Sequence, residues 1–498
     1  MAGSLPTVWL LGDQLHPEVA SLQGRAPGEC RILMVRSEAK VASRPWHRQR
    51  LHLVLSAMAH RAEELRAEGY EVDERRAPTL ADGIAAHRAR FDPSDVIAME
   101  PMSWDGRELL RRVGVTVVPN NQFLCSYQDF AHWAEGRRSL KMEDFYRWQR
   151  TRLDVLMVDG QPAGGRWNFD DENRERPPND GRAWPPLTRF ELDDIDHLVL
   201  EQMPDGVGRE PDGTWPVTRA QALARLDEFV TQGLGPFGPH EDAMLAAEWK
   251  MAHSCLSSSM NIGLLHPAEV VAAAVAAYER HALPLNSVEG FVRQVIGWRE
   301  YVWGVYWLWM PDYRGLNSLG ATRPVPPAFT GAAPTHMACV GGVAGHVEAH
   351  GYAHHIERLM VLGNLALTAG VDPVAMTDWM WASFVDGAEW VMLPNVVGMA
   401  LYADGGMMAT KPYASGGAYI KRMSDWCKGC GYDPGKRSGP DACPFTTLYW
   451  DFMDRHRAVL SANHRMARQL GGIDRLSDLD ATRQRAREVL DLLDRGEL

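Results

Sequence analysis

The sequence predicts an α/β amino-terminal domain with a parallel, Rossmann-like sheet, followed by a large all-α carboxyl-terminal domain. Three observations predict it. Short apolar runs alternate with amphipathic segments until shortly before Asn120. A stretch rich in Pro, Gly, Asp and Asn then runs from Gly160 to Pro216 without a sustained period. The remainder carries helical periodicity with almost no strand signal. A chain of 498 residues exceeds what one ordinary core serves, so at least two domains are expected. The divisions are an α/β domain over 1–125, an interdomain connection over 126–218 and a helical domain over 219–498.

The strands are placed at Val8–Leu11, Arg31–Val35, Tyr70–Val72, Val96–Met99 and Val115–Val118. Between them, His47–Gly69 has apolar residues at Leu51, Leu53, Val54, Leu55, Met58 and Leu65, which is helix spacing, and Asp105–Arg112 forms a shorter helix. The first strand runs into Gly12-Asp13-Gln14 and not into a G-x-G-x-x-G loop, so a dinucleotide pyrophosphate is not indicated there. The carboxyl ends of the strands still offer a crevice for a planar ligand. Further on, helices are expected at Arg219–Phe229, Asp242–Ala252, Pro267–His281, Val288–Trp309, Tyr352–Thr368 and Val374–Val385. A highly charged last helix, Ala481–Asp494, is assigned to the surface.

The amino terminus lacks the basic start and apolar run of a signal peptide, and no stretch approaches the roughly 20 apolar residues of a membrane span. A soluble, cytoplasmic monomer is expected, with reduced thiols, because seven cysteines in so long a chain are too few for a disulfide scaffold. The net charge of −12 argues against a generic nucleic-acid coat. It leaves room for a local basic face, and Arg147–Arg152 and Lys421–Arg422 are candidates. Cys427-Lys428-Gly429-Cys430 presents two thiolates from one turn, and Cys443 and Cys339 complete a possible set of four. Such a set holds zinc or an iron–sulfur cluster, and spacing alone does not separate them.

Several segments together are specific. His253-Ser254-Cys255-Leu256-Ser257, Trp298-Arg299-Glu300-Tyr301, His354-His355-Ile356-Glu357-Arg358 and Asp386 follow in order, and GDQL at 12–15, KMEDFYRWQR at 141–150, WNFDDENR at 167–174 and LPNVVGMALYADGG from Leu393 accompany them. The chain resembles the photolyase and cryptochrome superfamily, and within it the iron–sulfur bacterial branch that includes prokaryotic (6-4) photolyases. The resemblance implies a photolyase-like fold whose helical domain binds FAD through Ser254, Ser257, Ser258, Asn261, Trp298, Arg299, His355, Arg358, Asp386, Glu389 and Asn395. It implies a 4Fe-4S cluster on Cys339, Cys427, Cys430 and Cys443. It also implies a 6,7-dimethyl-8-ribityllumazine antenna in the amino-terminal crevice, near Asp13, Gln14 and Glu38.

The activity implied is light-driven repair of (6-4) photoproducts in UV-damaged DNA. His355 is the expected proton donor, because a hydroxyl must return from one pyrimidine to the other and a protonated imidazole supplies the proton. His354 and Tyr413 or Tyr419 are expected as hydrogen-bond or lesion contacts, Trp379 as a carrier in photoreduction, and Asp170, Asp171 and Asp242 as carboxylates that could recruit a divalent cation at the DNA interface. The chain departs from the branch at four places. Met392 replaces a carboxylate, Met380 follows Trp379 where an aromatic residue is usual, Gly331 replaces a tryptophan, and Ala59 alters the antenna segment Ser56–His60. Trp381 or Trp390 would then have to carry electrons. These departures raise a second reading, a cryptochrome-type photoreceptor, beside a third, a zinc-stabilised nucleic-acid-binding protein.

Overall fold

The computed structural model describes residues 4–498, so Met1–Gly3 at the start of the amino-terminal segment lie outside the described residues. Five parallel strands form the sheet: β1 (Thr7–Leu10), β2 (Arg31–Ser37), β3 (Glu71–Ala77), β4 (Val96–Met99) and β5 (Thr116–Val118), in the order β3-β2-β1-β4-β5. Thr7 pairs with Arg31 on one side and Val96 on the other, and every residue of β1 and β4 is buried, as in a sheet covered on both faces. The outer strand β3 is longer than its apolar signal. Its Glu71, Glu74 and Arg76 form ion pairs at the edge, which suits an unpaired edge strand.

The helix Arg48–Ala67 covers one face, and Trp104–Val113 follows β4. A third helix, Leu80–Phe91, has no counterpart in the periodicity argument. Its start is written locally: Thr79 and Asp82 form a reciprocal capping box.

The segment 126–218 is more structured than its composition suggests. Helices Tyr127–Ala134 and Met142–Leu153 pack on the helical half, where Phe130, Trp133 and Phe145 surround Tyr301 at ring separations of 5.7, 6.4 and 5.8 Å. The helix Asp194–Gln202 packs on Arg48–Ala67. Within the basic stretch Arg147–Arg152, Arg150 is fully buried and donates to the carbonyls of Val155, Leu156 and Trp167. That run is therefore partly structural, because a buried guanidinium is needed to satisfy the carbonyls beyond the helix end.

In the helical half, Leu285–Val292 and Glu300–Trp309 form one rod through a π turn at Arg293–Arg299. His355–Glu357 continues into Asn364–Ala369 through a π turn at Arg358–Gly363, and Glu389–Pro394 continues into a π turn at Asn395–Ala400. Single π turns inside helices concentrate at functional sites, and two of these begin at expected site residues, Arg358 and Asn395.

Two helix expectations fail. Asp242–Ala252 is irregular: Met244 bridges to Ser424, the Ala246 amide donates to Asp425, and Met251 has φ 46°. Its apolar residues are buried by tertiary docking, which produces helix-like spacing without a helix. The last helix, Leu479–Arg495, is not merely a surface element. Val489, Leu490 and Leu493 are buried, and it packs on Pro444–Arg455.

Candidate functional site

Of the expected cofactor residues, Ser257, Asn261 and Arg358 meet at Asp386, where the helix Ser257–Asn261 and the π turn Arg358–Gly363 reach the turn that carries that carboxylate. Arg358 donates to both carboxylate oxygens of Asp386, at 3.0 and 3.1 Å, and its Nε donates to the Ala353 carbonyl. Ser257 Oγ donates to Asp386 at 2.8 Å, and Asn261 donates to the Asp386 carbonyl at 2.9 Å. A bidentate pair so well satisfied is geometrically fixed, so it can orient a ligand without reorganising. Ser258 is buried, and its Oγ, like that of Ser259, has no partner among the described residues. Ser254 caps the approach by accepting from the Leu256 amide.

Arg299 and Glu300 form a second buried pair at 2.8 Å, with Glu300 also accepting from the Cys125 amide. Arg299 lies over Phe123 and Trp390. Trp298 is half-buried against Tyr301. Glu389 stands apart: it accepts from Tyr306 and pairs with Arg314. Asn395 donates to Val391 within its own helix. Met392 is buried.

His355 lies at the mouth of this region with 43 % of its side chain exposed, and its Nε2 is 3.2 Å from Asp242 Oδ1. Burial pulls its pKa down, but the Asp242 hydrogen bond and the charges of Asp242 and Glu241 more than restore it, leaving it above the ordinary value. The pair therefore favours an imidazolium. His354 and His253 are the opposite: burial holds both neutral, and His253 falls to about 3. Asp170, Asp171 and Asp242 all have cationic partners, in Arg174 and Arg293, Arg166, and Arg174 with His355 respectively. Tyr413 and Tyr419 share this neighbourhood, their phenols raised mainly by burial within reach of Asp242 and Arg174.

The remaining motifs brace the site. Tyr146 and the Phe169 amide both donate to buried Glu289, and Asn173 donates to Glu241 and to the Asn286 carbonyl. Trp379 touches Phe329 and Phe384, whereas Trp381 packs on Trp46 under Arg44. Trp390 is buried against Trp303.

Cys339, Cys427, Cys430 and Cys443 line one cavity with Met337, Ile420, Trp426 and Phe445. All four are free thiols, and burial followed by the other three cysteines drives the Cys339 thiol well up. Cys339 sits in the first turn of Ala338–His350 and Cys443 caps Pro444–Arg455, so two helix amino ends face the sulfurs and favour an anionic centre. The donor set fits a four-thiolate metal centre.

At the sheet's carboxyl edge, Gln14 donates to the Met99 and Glu100 carbonyls, and Gln122 donates to the Asp13 carbonyl. Asp13 is raised by burial, opposed by Lys40 and Arg50. Arg50 is lowered by burial to about 10, and it donates to the Val385 carbonyl next to Asp386. Lys40 and Arg50 had no sequence signal beyond their type. Glu38 instead is exposed and pairs with Arg76, and His60 of the antenna segment faces Asp196 at 3.3 Å.

A parallel-sheet domain joined to a helical body that holds a pre-organised Arg–Asp cradle beside a histidine pair defines the photolyase–cryptochrome class of fold. Solved structures share it: a bacterial class III photolyase from Agrobacterium tumefaciens (TM-score 0.60, 17% identity, covering 93% of this chain and 98% of that one) and a Synechocystis cryptochrome (TM-score 0.52, 14% identity, 85% and 89%). At such identities the likeness speaks for the fold alone. The family model described as deoxyribodipyrimidine photo-lyase-related protein matches residues 8–213. A (6-4) photolyase of Agrobacterium fabrum is 41% identical over 490 residues, which is 95% of this chain and 96% of that protein. The chain belongs to the (6-4) photolyase family. Membership brings FAD as cofactor, and the cradle fits it: buried Ser258, Ser259 and Arg299 keep polar atoms that nothing among the described residues satisfies.

Proposed function

We propose that this protein uses blue light to repair (6-4) pyrimidine–pyrimidone photoproducts in UV-damaged DNA, with His355 as the proton donor. One observation carries the assignment to this chemistry: His355, at the open side of the cradle, is held toward its charged form by Asp242. When bound, FAD supplies the light-driven electron. The chain's own residues do the rest. Arg358 and Asp386 fix the ligand's orientation, with Ser254, Ser257, Ser258 and Asn261 along its polar edge. His355 gives its proton to the hydroxyl that must leave one pyrimidine, and Asp242 then loses a cationic partner, which favours the proton's return. With Leu359 one turn after His355, no second histidine shares the task from that position.

Extrusion of the lesion from the duplex costs a few kcal/mol, less for a damaged base, and this gives an acidic protein selectivity without base-reading contacts. Tyr413, Tyr419 and exposed Arg422 lie near that opening. A divalent cation at Asp170 and Asp242 would have to displace Arg174. The four cysteines hold a 4Fe-4S cluster, supported by their shared apolar cavity and the two helix ends. A lumazine antenna is assigned to the crevice of Asp13 and Gln14, with Lys40 and Arg50 as its cationic side. The working form is read as a cytoplasmic monomer; among the described residues no helix is long and apolar enough to cross a membrane.

Repair of a (6-4)-containing oligonucleotide under blue light, with absorption spectra and metal analysis of the same preparation, tests this. Restored thymines with flavin bands, a cluster shoulder and iron are expected. Flavin and iron without repair would favour a photoreceptor, and zinc without flavin would overturn both.

A further inference from the structure

Behind His355 lies a second set of titratable groups that proton donation does not use. His354 and Glu357 are fully buried, and His354 Nε2 lies 3.6 Å from Glu357 Oε1. Among the described residues, neither His354 nitrogen has a hydrogen-bond partner, and neither has Glu357 Oε1. His346 Nδ1 lies 3.3 Å from both Glu357 oxygens and is hydrogen-bonded to Oε2. His346 belongs to the helix Ala338–His350 and keeps 13% of its side chain exposed.

On the site side, His253 stacks on His354 at 4.4 Å and 17°, and its ring is 5.3 Å from that of His355. One nitrogen of each of these three histidines lies within 4.8 Å of the others. His253 Nδ1 is 2.9 Å from the Lys250 carbonyl, which fixes the hydrogen on that nitrogen. Its Nε2 is thus a buried, unpartnered lone pair facing the cluster. Unsatisfied buried polar groups are costly, and a continuous row of them is not explained by packing. The row has two solvent-facing ends, His346 and His355, and a fully buried interior.

We propose that His346, Glu357 and His354 form an internal proton line that recharges His355 while bound DNA covers its exposed side. The inference rests on the reading of His355 as the donor. Each step breaks one N–H or O–H bond and forms one at the next site, and no electrons move. His346 takes a proton from water and gives one to Glu357, Glu357 gives one to His354, and His354, with the lone pair of His253, returns one to His355. The 3.6 Å between His354 and Glu357 is just beyond hydrogen-bond range, so a small side-chain rotation brings the two into direct contact. Burial raises Glu357, favouring the form that can donate, and holds His354 neutral and able to accept. The other charges facing the line are Asp242, Glu241, Lys250 and Arg358, with Arg174 and Arg293 beyond them. Glu357 and His346 act through His355 and are positioning residues.

The test uses the full-length holoenzyme bound to a (6-4) oligonucleotide. The complex is mixed into D2O and flashed after increasing delays, and the growth of the solvent isotope effect on single-flash repair gives the rate at which His355 exchanges its proton under the DNA. Each variant is normalised to its own long-delay plateau. Glu357→Gln and His346→Asn should slow that growth roughly tenfold or more, the scale of a lost proton-transfer partner, and Glu357→Asp should restore part of it. Growth as fast in both variants as in the parent would overturn the line. His346→Asn, at the solvent end, decides the matter if Glu357→Gln fails to fold. His355→Asn separates the two levels: persisting repair there defeats the donor reading, whereas lost repair with unchanged exchange in the other variants defeats only the line.

Discussion

Replacing Asp242 by Asn should move the charge of His355 in a direction fixed by the geometry. The carboxylate is 3.2 Å from Nε2, and His355 stands above the ordinary histidine value because that carboxylate outweighs burial. Removing the charge lowers the pKa, so less imidazolium is present at neutral pH. The size depends on solvent. In the free protein 43% of the His355 side chain is exposed, and exposed pairs are worth about 0.2–1 kcal/mol, or below about one pH unit at 1.36 kcal/mol per unit. Under bound DNA the pair is dry, and a charge-assisted hydrogen bond of about 1.5–3 kcal/mol corresponds to about 1–2 units. Histidine NMR titration of the free protein reads the first figure. The alkaline limb of single-turnover repair reads the second, and it should move toward acid in Asp242→Asn. A limb that stays in place, or moves toward alkali, would refute the assignment of Asp242 as the group that charges His355.

Arg299→Ala should destabilise the protein by about 3–5 kcal/mol in denaturant titration, because it leaves Glu300 buried without its cation. Arg358→Leu should weaken FAD retention at least about tenfold in a dialysis-and-fluorescence assay, since it unpairs buried Asp386 and removes the fixed edge of the cradle. Cys430→Ser should lower iron content and the cluster shoulder together in absorption and metal analysis. Photoreduction of the flavin under blue light with a thiol reductant should be slow, because Trp379 meets only phenylalanine rings on its two aromatic contacts; Met380→Tyr should accelerate it in stopped-flow absorption.

What the sequence made legible follows the range of the interactions involved. Strand β4 is apolar at every position and was bounded correctly, whereas β3 continues through Glu74-Arg75-Arg76 because pairing with β2, not side-chain burial, holds it there. Asp242–Ala252 has helical spacing for a non-helical reason: bridges to Ser424 and Asp425 decide its path, and no local pattern encodes them. In the site, Arg358, Asp386, Ser257 and Asn261 were named from motif order and do converge. Glu389 was named the same way and instead pairs with Arg314, a residue with no motif of its own. His253, Glu357 and His346 stood in or near quoted motifs without a role, since what matters about them is an unpaired nitrogen or oxygen, and that exists only once the neighbours are placed.

The same point resolves the conflict between a net charge of −12 and a DNA substrate. Counting charges treats Asp170, Asp171 and Asp242 as free negatives that repel phosphate, but each is held against Arg174, Arg293, Arg166 or His355. The opening near His355 is therefore closer to neutral than its composition, and a Debye length of about 8 Å at physiological salt confines the remaining acidic surface to its own vicinity. The arrangement has a further consequence for turnover. When His355 gives up its proton, Asp242 keeps Arg174, at 3.8 Å, and the charge of Arg293, so the local charge falls by one at the moment the proton is needed back. An ion network that includes the charge of His355 when balanced therefore favours the return of that proton.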